Sequence, residues 1–547
     1  MKKTLPLLIS ALILSCNAPL TVEDALSTIN KQDMIQRIEV LSSDEFMGRA
    51  TGTEGEQMTV DYLVSQFIEI GATSGTEDGS YVQPFPLVGQ TTSNHSMSFS
   101  KNGKKTSLSY FDDYVSWPAD QSEKVEISNA ELVYVGYGIQ APEEDWDDFK
   151  GMDVSGKILV FKNNDPEYDE DLFGGFTRLY YGRYTYKFEK AKELGALGAI
   201  LIHTTKTAGY GWSVVSNSWS NERFNVKEEG GSESKTKLDA WITYDSAKEL
   251  FDLGGQDLDE LMTAADSPDF KPVTLKGVRM DASLDAQYRD INAKNVLGVI
   301  EGSDPQLKDE YLVLTAHFDH LGITTPVEGD SVNNGAEDNA AGVSALLEMM
   351  EAYKAIQPNL KRSVLGLIVS AEEVGLLGSE YWAQHPTIAP GKVSANINLD
   401  GMNVYGETED VVVVGYGRSS VSDILIEEAA TEERTVEPDA HPDRGYFYRS
   451  DHFNMAKIGI PAIFPNPGTQ FTGKEEGYRE IVDSVAAANY HSVNDEINEY
   501  WDLSGAEKDT RLFFKVGLRV LNADELQSWK PGDEFEATRL RMLEDGR

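Results

Sequence analysis

Between residues 310 and 417 the chain repeatedly writes a short, almost unbroken apolar run that stops abruptly at polar residues. "EYLVLTAH" (Glu310 to His317), "SVLGLIVSAEE" (Ser363 to Glu373), "SANINLD" (Ser394 to Asp400) and "DVVVVGYG" (Asp410 to Gly417) share this form. Between the first two lies "AAGVSALLEMMEAYKAI", where Val343, Leu346, Leu347 and Met350 recur at helical spacing on one face. A strand that is apolar on both sides has to be covered on both sides. Such strands alternating with helices predict a three-layer α/β fold, a mostly parallel sheet with helices on both faces. In sheets of this kind ligands gather beyond the carboxyl ends of the strands. The polar residues that end the runs should therefore converge on one rim.

Those residues are chemically specific. The first run ends in His317, with Asp319 close behind; "GAEDNAAG" places Asp338 in a loop entering the helix. "SAEE" supplies Glu372 and Glu373, "NLDG" supplies Asp400, and the distant "NYHSVNDE" supplies His491. Two imidazoles among several carboxylates form a mixed nitrogen and oxygen set suited to zinc, with cobalt or manganese as alternatives. One zinc needs three or four protein ligands. Five candidates and a spare glutamate suit two metals that share a carboxylate, about 3.5–4 Å apart in hydrolytic sites of that type. Without cations, carboxylates packed this closely repel one another and some take up protons. The adjacent Glu372 and Glu373 suit a division of labour, one as ligand and the other as general base.

The rest of the chain narrows the class. Its 547 residues have room for two or three domains, and 91 acidic against 48 basic residues give a formal charge of −43. So acidic a chain repels phosphate backbones, which argues against nucleic-acid partners. "MKKTLPLLISALILSC" carries Lys2 and Lys3, an apolar run and then Cys16, the only cysteine. That run is too short for an ordinary membrane span and reads as a secretory signal over 1–15. Its end resembles a bacterial lipobox. The expectation is an exported lipoprotein of the periplasm or cell envelope, tethered to the membrane through Cys16.

The chain divides into four segments: the signal, an N-terminal part of the catalytic domain (16–124), an inserted β-rich module (125–288) and the main catalytic part (289–547). In the first catalytic part "GEQMTVDYLVSQFIEIGA" predicts a helix with Gly71 as its C-cap, and "SYVQPFPLV" a strand. The acidic run "NNDPEYDED" (Asn163 to Asp171) lacks the spacing and glycine of a calcium loop and reads as solvated. There is no "HExxH", "GxSxG" or Walker loop.

Together "AHFDHLG", "GAEDNAAGVSALLE", "SAEEVGLLGS", "NINLDGM", "SDHF…GIPAIF" and "YHSVNDE" resemble the co-catalytic di-zinc aminopeptidases, metallopeptidase family twenty-eight. The resemblance covers most of 30–90 and 290–510; residues 125–288 resemble, more loosely, a protease-associated domain. It implies two zinc ions per chain and peptide substrates. Asp338 would bridge the metals, His317 and Asp400 would complete one site, and Glu373 and His491 the other. Glu372 would be the general base, and Asp319 the carboxylate that orients His317. The peptide bond Asp338-Asn339 is often cis in that family. Relatives also include carboxypeptidases, for which Arg444 and Arg449 could bind a carboxylate, glutaminyl cyclases, and receptors that keep the fold without the activity. The complete ligand set favours an enzyme. The resemblance leaves His320, Asp451 and His452 without roles, and the aromatic run "RGYFYRSDHF" as either pocket lining or core. Substrate preference and oligomeric state have no signature in the sequence.

Overall fold

A computed structural model describes residues 21–166, 172–208, 210–228 and 235–544. The signal segment, Cys16 and the end of the acidic run (167–171) lie outside them. One sheet runs through the molecule in the order 435–438, 410–414, 462–466, 393–398, 311–317, 363–369, 273–300, 124–134, 158–162, 198–203, 238–243, 114–118. Strands Tyr311–His317, Ser363–Val369, Val393–Asn398 and Ala462–Asn466 pair in parallel at its centre. The fold is α/β with a mixed, mostly parallel central sheet.

Alternation along Tyr311–His317 makes the three layers visible. Leu312, Leu314 and Ala316 face one core, with Leu346, Leu347 and Met350 of helix Gly342–Ala355 and Phe513 of helix Ser504–Asn522. Val313 faces the other core, with Leu365, Leu367, Trp382 and Met455. Helix Glu54–Ile70 ends as its sequence predicts, at Gly71 with φ +79°, where the lack of a β-carbon makes the left-handed turn inexpensive.

The 28-residue strand Val273–Ile300 is the structural link between the two lobes. Its end pairs antiparallel with Ser363–Val369 in the first lobe, and its beginning with Lys124–Tyr134 in the second. Beyond it lie four mutually parallel strands (124–134, 158–162, 198–203, 238–243), flanked by helices such as Tyr184–Glu193 and Tyr244–Gly254. The second lobe, expected from sequence to be β-rich, is therefore itself layered α/β. Its two cores draw on Met97, Phe99, Tyr114 and Trp117, upstream of residue 125, as well as on residues between 125 and 286.

Candidate metal centre

The strand ends do converge. His317 is the last residue of Tyr311–His317, Asp400 lies two residues past Val393–Asn398, and Glu372 and Glu373 come just after Ser363–Val369. Asp338 sits in the turn that feeds helix Gly342–Ala355, and the Asp338-Asn339 peptide is cis. His491 comes after helix Tyr478–Asn489 in a left-handed conformation, φ +55°.

Asp338 is the pivot. Its Oδ1 lies 3.2 Å from His317 Nε2, which is also 3.1 Å from Asp400 Oδ1. Its Oδ2 lies 3.3 Å from His491 Nε2, which is 3.0 Å from Glu373 Oε2. One carboxylate thus joins two ligand sets through different oxygens. In the groups His317, Asp338, Asp400 and His320, Asp338, Glu373 the candidate ligand atoms all fall within 4.8 Å of one another. His320, unassigned from sequence, is buried behind Glu373 with Nδ1 2.6 Å from Oε1. It holds the oxygen of Glu373 that His491 does not.

The charges in the cluster are strongly coupled. Burial opposes protonation of His317, yet Glu372 and Asp400, with the hydrogen bonds to Asp338 and Asp400, carry its pKa well above the ordinary value. His491 is raised to about 10, again against burial, by its bonds to Asp338 and Glu373. Burial, reinforced by Asp400, Asp451 and Glu373, lifts Glu372 well above the usual carboxylate range although His317 pulls it down. An anionic nest that raises both histidines is one that cations would occupy. The donor set, two imidazoles and two carboxylates around a shared aspartate, fits zinc.

Supporting contacts reveal residues that the strand-end pattern does not mark. Asp319 holds His317 differently from the expectation: Nδ1 is 3.2 Å from the Asp319 carbonyl oxygen and 3.9 Å from its carboxylate. The carboxylate instead accepts the amide protons of Glu372 (3.1 Å) and Glu373 (3.3 Å), so Asp319 shapes the turn that carries both glutamates. Burial raises its pKa to about 7. Asp495 accepts the amides of Glu337 (2.9 Å) and Asp338 (3.0 Å). Asp400 receives the hydroxyl of Ser450, which accepts from Asn398 Nδ2 at 2.7 Å; Asn398 in turn accepts from Thr315 at 2.6 Å. The alternating asparagines of "SANINLD" are the sequence trace of this relay.

Arg49, 1 % exposed, donates to the carbonyls of Phe318 (2.6 Å), Leu41 (2.6 Å), Asn334 (2.5 Å) and Gly335 (2.8 Å). It ties the His317 loop to the Asp338 loop. Asp451 binds Ser379, and His452 packs in the core with its ring 4.6 Å from that of Phe447. The aromatic run is both core and lining: Phe447 packs on Phe535, while Tyr448 and Phe453 also border the cavity above the cluster.

Residues 295–515 match the sequence profile of peptidase family M28. This segment is a peptidase family M28 domain. A "Probable zinc metalloprotease" of Pyrenophora teres f. teres (strain 0-1) is 30% identical over 110 residues, 20% of this chain and 23% of that protein. "Aminopeptidase YwaD" of Bacillus subtilis (strain 168) is 29% identical over 114 residues, 21% of this chain and 22% of the relative. The alignments thus span about a quarter of these curated relatives. Among solved structures, an aminopeptidase from Aneurinibacillus sp. strain AM-1 aligns over 92% of this chain and 96% of its own, with 18% identity and a TM-score of 0.49. A zinc aminopeptidase from Bacillus subtilis aligns over 91% and 94%, with 17% identity and a TM-score of 0.38.

Proposed function

We propose that the chain is a zinc-dependent aminopeptidase that holds two metal ions. The observation that carries this reading is the double engagement of Asp338, whose two oxygens face two separate ligand sets. Asp338 would be shared between the two ions, His317 and Asp400 would complete one set, and Glu373 and His491 the other. His320 orients Glu373 from behind. When bound, zinc at such a site supplies Lewis-acid activation of water and stabilises charge on a carbonyl oxygen. Glu372 borders the cavity and, among the described residues, its carboxylate makes no hydrogen bond or ion pair. It is free to act as the proton acceptor for the attacking water and to return that proton to the leaving amine. Asp319 fixes the direction of Glu372 through its amide. An aminopeptidase is favoured over the other exopeptidase chemistries because a relative of the domain is an aminopeptidase.

The test uses zinc-loaded protein and paired substrates with free and blocked N-termini. Glu372→Gln should lower turnover by about 10²–10⁴-fold, the usual contribution of general acid–base catalysis, while zinc content stays at two per chain. Glu373→Gln should instead lose zinc, with activity partly restored by excess metal. Full activity in both variants, or hydrolysis only of blocked substrates, would refute the assignment.

Two further parts of the reading concern access and location. The inserted module, which carries none of the proposed ligands, limits which peptides reach the site. The chain is exported and lipidated at Cys16, which lies outside the described residues; Cys16→Ser should release it from membranes in fractionation. Among the described residues no helix is long and apolar enough to cross a membrane.

A further inference from the structure

The cavity above the cluster, about 340 Å³, is lined by side chains of both charges. Glu189, Glu372, Glu373 and Glu380 line it together with Arg183 and Arg449. The arginines come from different lobes. Arg183 leads into helix Tyr184–Glu193 of the second lobe, and Arg449 comes after the aromatic turn Tyr446–Tyr448 of the first. The lobes are pinned beside them: the Arg178 amide donates to the Pro442 carbonyl at 3.1 Å, the Tyr180 amide to Glu534 at 3.1 Å, and Lys457 pairs with Glu189 at 2.8 Å.

In a chain with a net charge of −43, many basic side chains pair with an acidic neighbour. Arg37, Arg418, Arg434, Arg511 and the cavity's own Lys457 each have a carboxylate within 3.0 Å. Arg183 and Arg449 make no ion pair with any described residue. Arg449 donates to the Arg444 carbonyl at 3.0 Å and lies 5.2 Å from the Tyr446 ring; Arg183 lies 5.7 Å from the Tyr184 ring. Burial lowers the pKa of Arg449, and the charge of Arg183 lowers it further. Two guanidiniums that repel each other in one cavity lining, neither in an ion pair with a described residue, form a site that an incoming anion relieves. A guanidinium fork matches a carboxylate in shape and charge.

We propose that Arg183 and Arg449 form a carboxylate-binding subsite, so that the enzyme selects peptides bearing a carboxylate close to the scissile bond. This rests on the peptidase reading and names its substrate class. The carboxylate has two sources, an Asp or Glu side chain or the C-terminus of a short peptide. The second lobe, through Arg183, then contributes directly to substrate choice.

Three substrate pairs separate the sources with the zinc-loaded full-length protein: glutamyl-alanine amide against glutaminyl-alanine amide, alanyl-glutamate amide against alanyl-glutamine amide, and alanyl-alanine against its amide. In at least one pair the carboxylate member should have the higher kcat/KM, by about 10–100-fold, as expected for a charged hydrogen bond. Arg183→Gln and Arg449→Gln should bring that ratio toward unity, and Arg183→Lys, which keeps the charge, should retain part of it. A variant that merely misfolds lowers both members together and leaves the ratio intact. Equal rates in all three pairs, or a ratio that survives in both glutamine variants when they melt and bind zinc as the wild type does, would overturn the subsite. The same comparison by calorimetry with reduced-amide analogues of the three pairs needs no turnover. If no peptide is cleaved but the analogues bind with an Arg183-dependent preference for the carboxylate, the subsite stands and the peptidase reading falls. Cleavage without any preference has the opposite meaning.

Discussion

Replacing Arg49 with Met keeps much of the side-chain volume and removes every donor. Four main-chain carbonyls, on Leu41, Phe318, Asn334 and Gly335, then lose the charged group that satisfies them. Hydrogen bonds to a charged partner contribute about 1.5–3 kcal/mol each, so the gross loss is about 6–12 kcal/mol. Burial of the guanidinium offsets part of it. That burial is strong enough to pull the pKa of Arg49 down to about 10, although the carboxylates of Asp495, Asp338, Asp319 and Glu373 favour its charged form. Removing a buried charge regains several kcal/mol of desolvation, which leaves a net destabilisation of about 3–5 kcal/mol. The effect should also reach the metals. Phe318 lies between His317 and Asp319, and Gly335 begins the turn to Asp338, so freeing both loops should weaken zinc binding by about 10–100-fold, as loss of outer supporting contacts does. Thermal melting at saturating zinc reads the first effect, and competition with a chelator the second. Arg49→Lys, with a charge but no fork, should fall between. Wild-type melting and zinc affinity in Arg49→Met would refute the reasoning. A lower melting point with unchanged affinity would show that Arg49 supports the fold without positioning the ligands.

Two other substitutions probe the same architecture. Gly342→Ala places a β-carbon 2.2 Å from Asn339 Oδ1 and 2.3 Å from the Leu399 carbonyl. It should cost about 1–3 kcal/mol by overpacking. Because Asn339 Oδ1 accepts the amides of Gly342 and Gly401, it should also weaken zinc binding in the chelator assay. His452 is fully buried, and burial, aided by Arg418, lowers its pKa to about 3 against 6.5 unfolded. Between those values the unfolded chain binds a proton that the folded chain refuses, so this contribution to stability is complete above about pH 6.5 and is lost as pH falls toward 3, by about 1.4 kcal/mol per unit. His452→Phe, which suits the contacts with Phe447 and Phe464, removes that loss. Its melting point relative to wild type, at fixed zinc, should rise on going from pH 7.5 to pH 5; a constant difference would contradict the assignment.

The candidate ligands were legible because the signal is local. Apolar runs stop where the sheet stops, and the first polar residues beyond each run must sit on the rim, so His317, Glu373 and Asp400 could be read without their partners. Helix Glu54–Ile70, capped by Gly71, is legible for the same reason. Asp495 was not, although it lies four residues from His491: its partners are the amides of Glu337 and Asp338, and main-chain donors leave no mark on side-chain identity. Nor could a strand be foreseen to continue from Val273 to Ile300 across both lobes, since its pairing partners change along its length.

By itself the amino-acid sequence determined the layered α/β sheet, the rim on which the site lies and the types of ligand offered there. The first two arise from hydrophobic periodicity within single elements and the third from the side chains that end each run, and both hold wherever the element is placed. Only the tertiary structure decided that Asp338 turns one oxygen to His317 and the other to His491, that Arg49 ties the His317 and Asp338 loops together, and that Arg183 and Arg449 line one cavity. These depend on distances between segments far apart in the chain. Those distances are set by how the lobes pack, and packing is a property of surfaces that no single stretch of sequence contains.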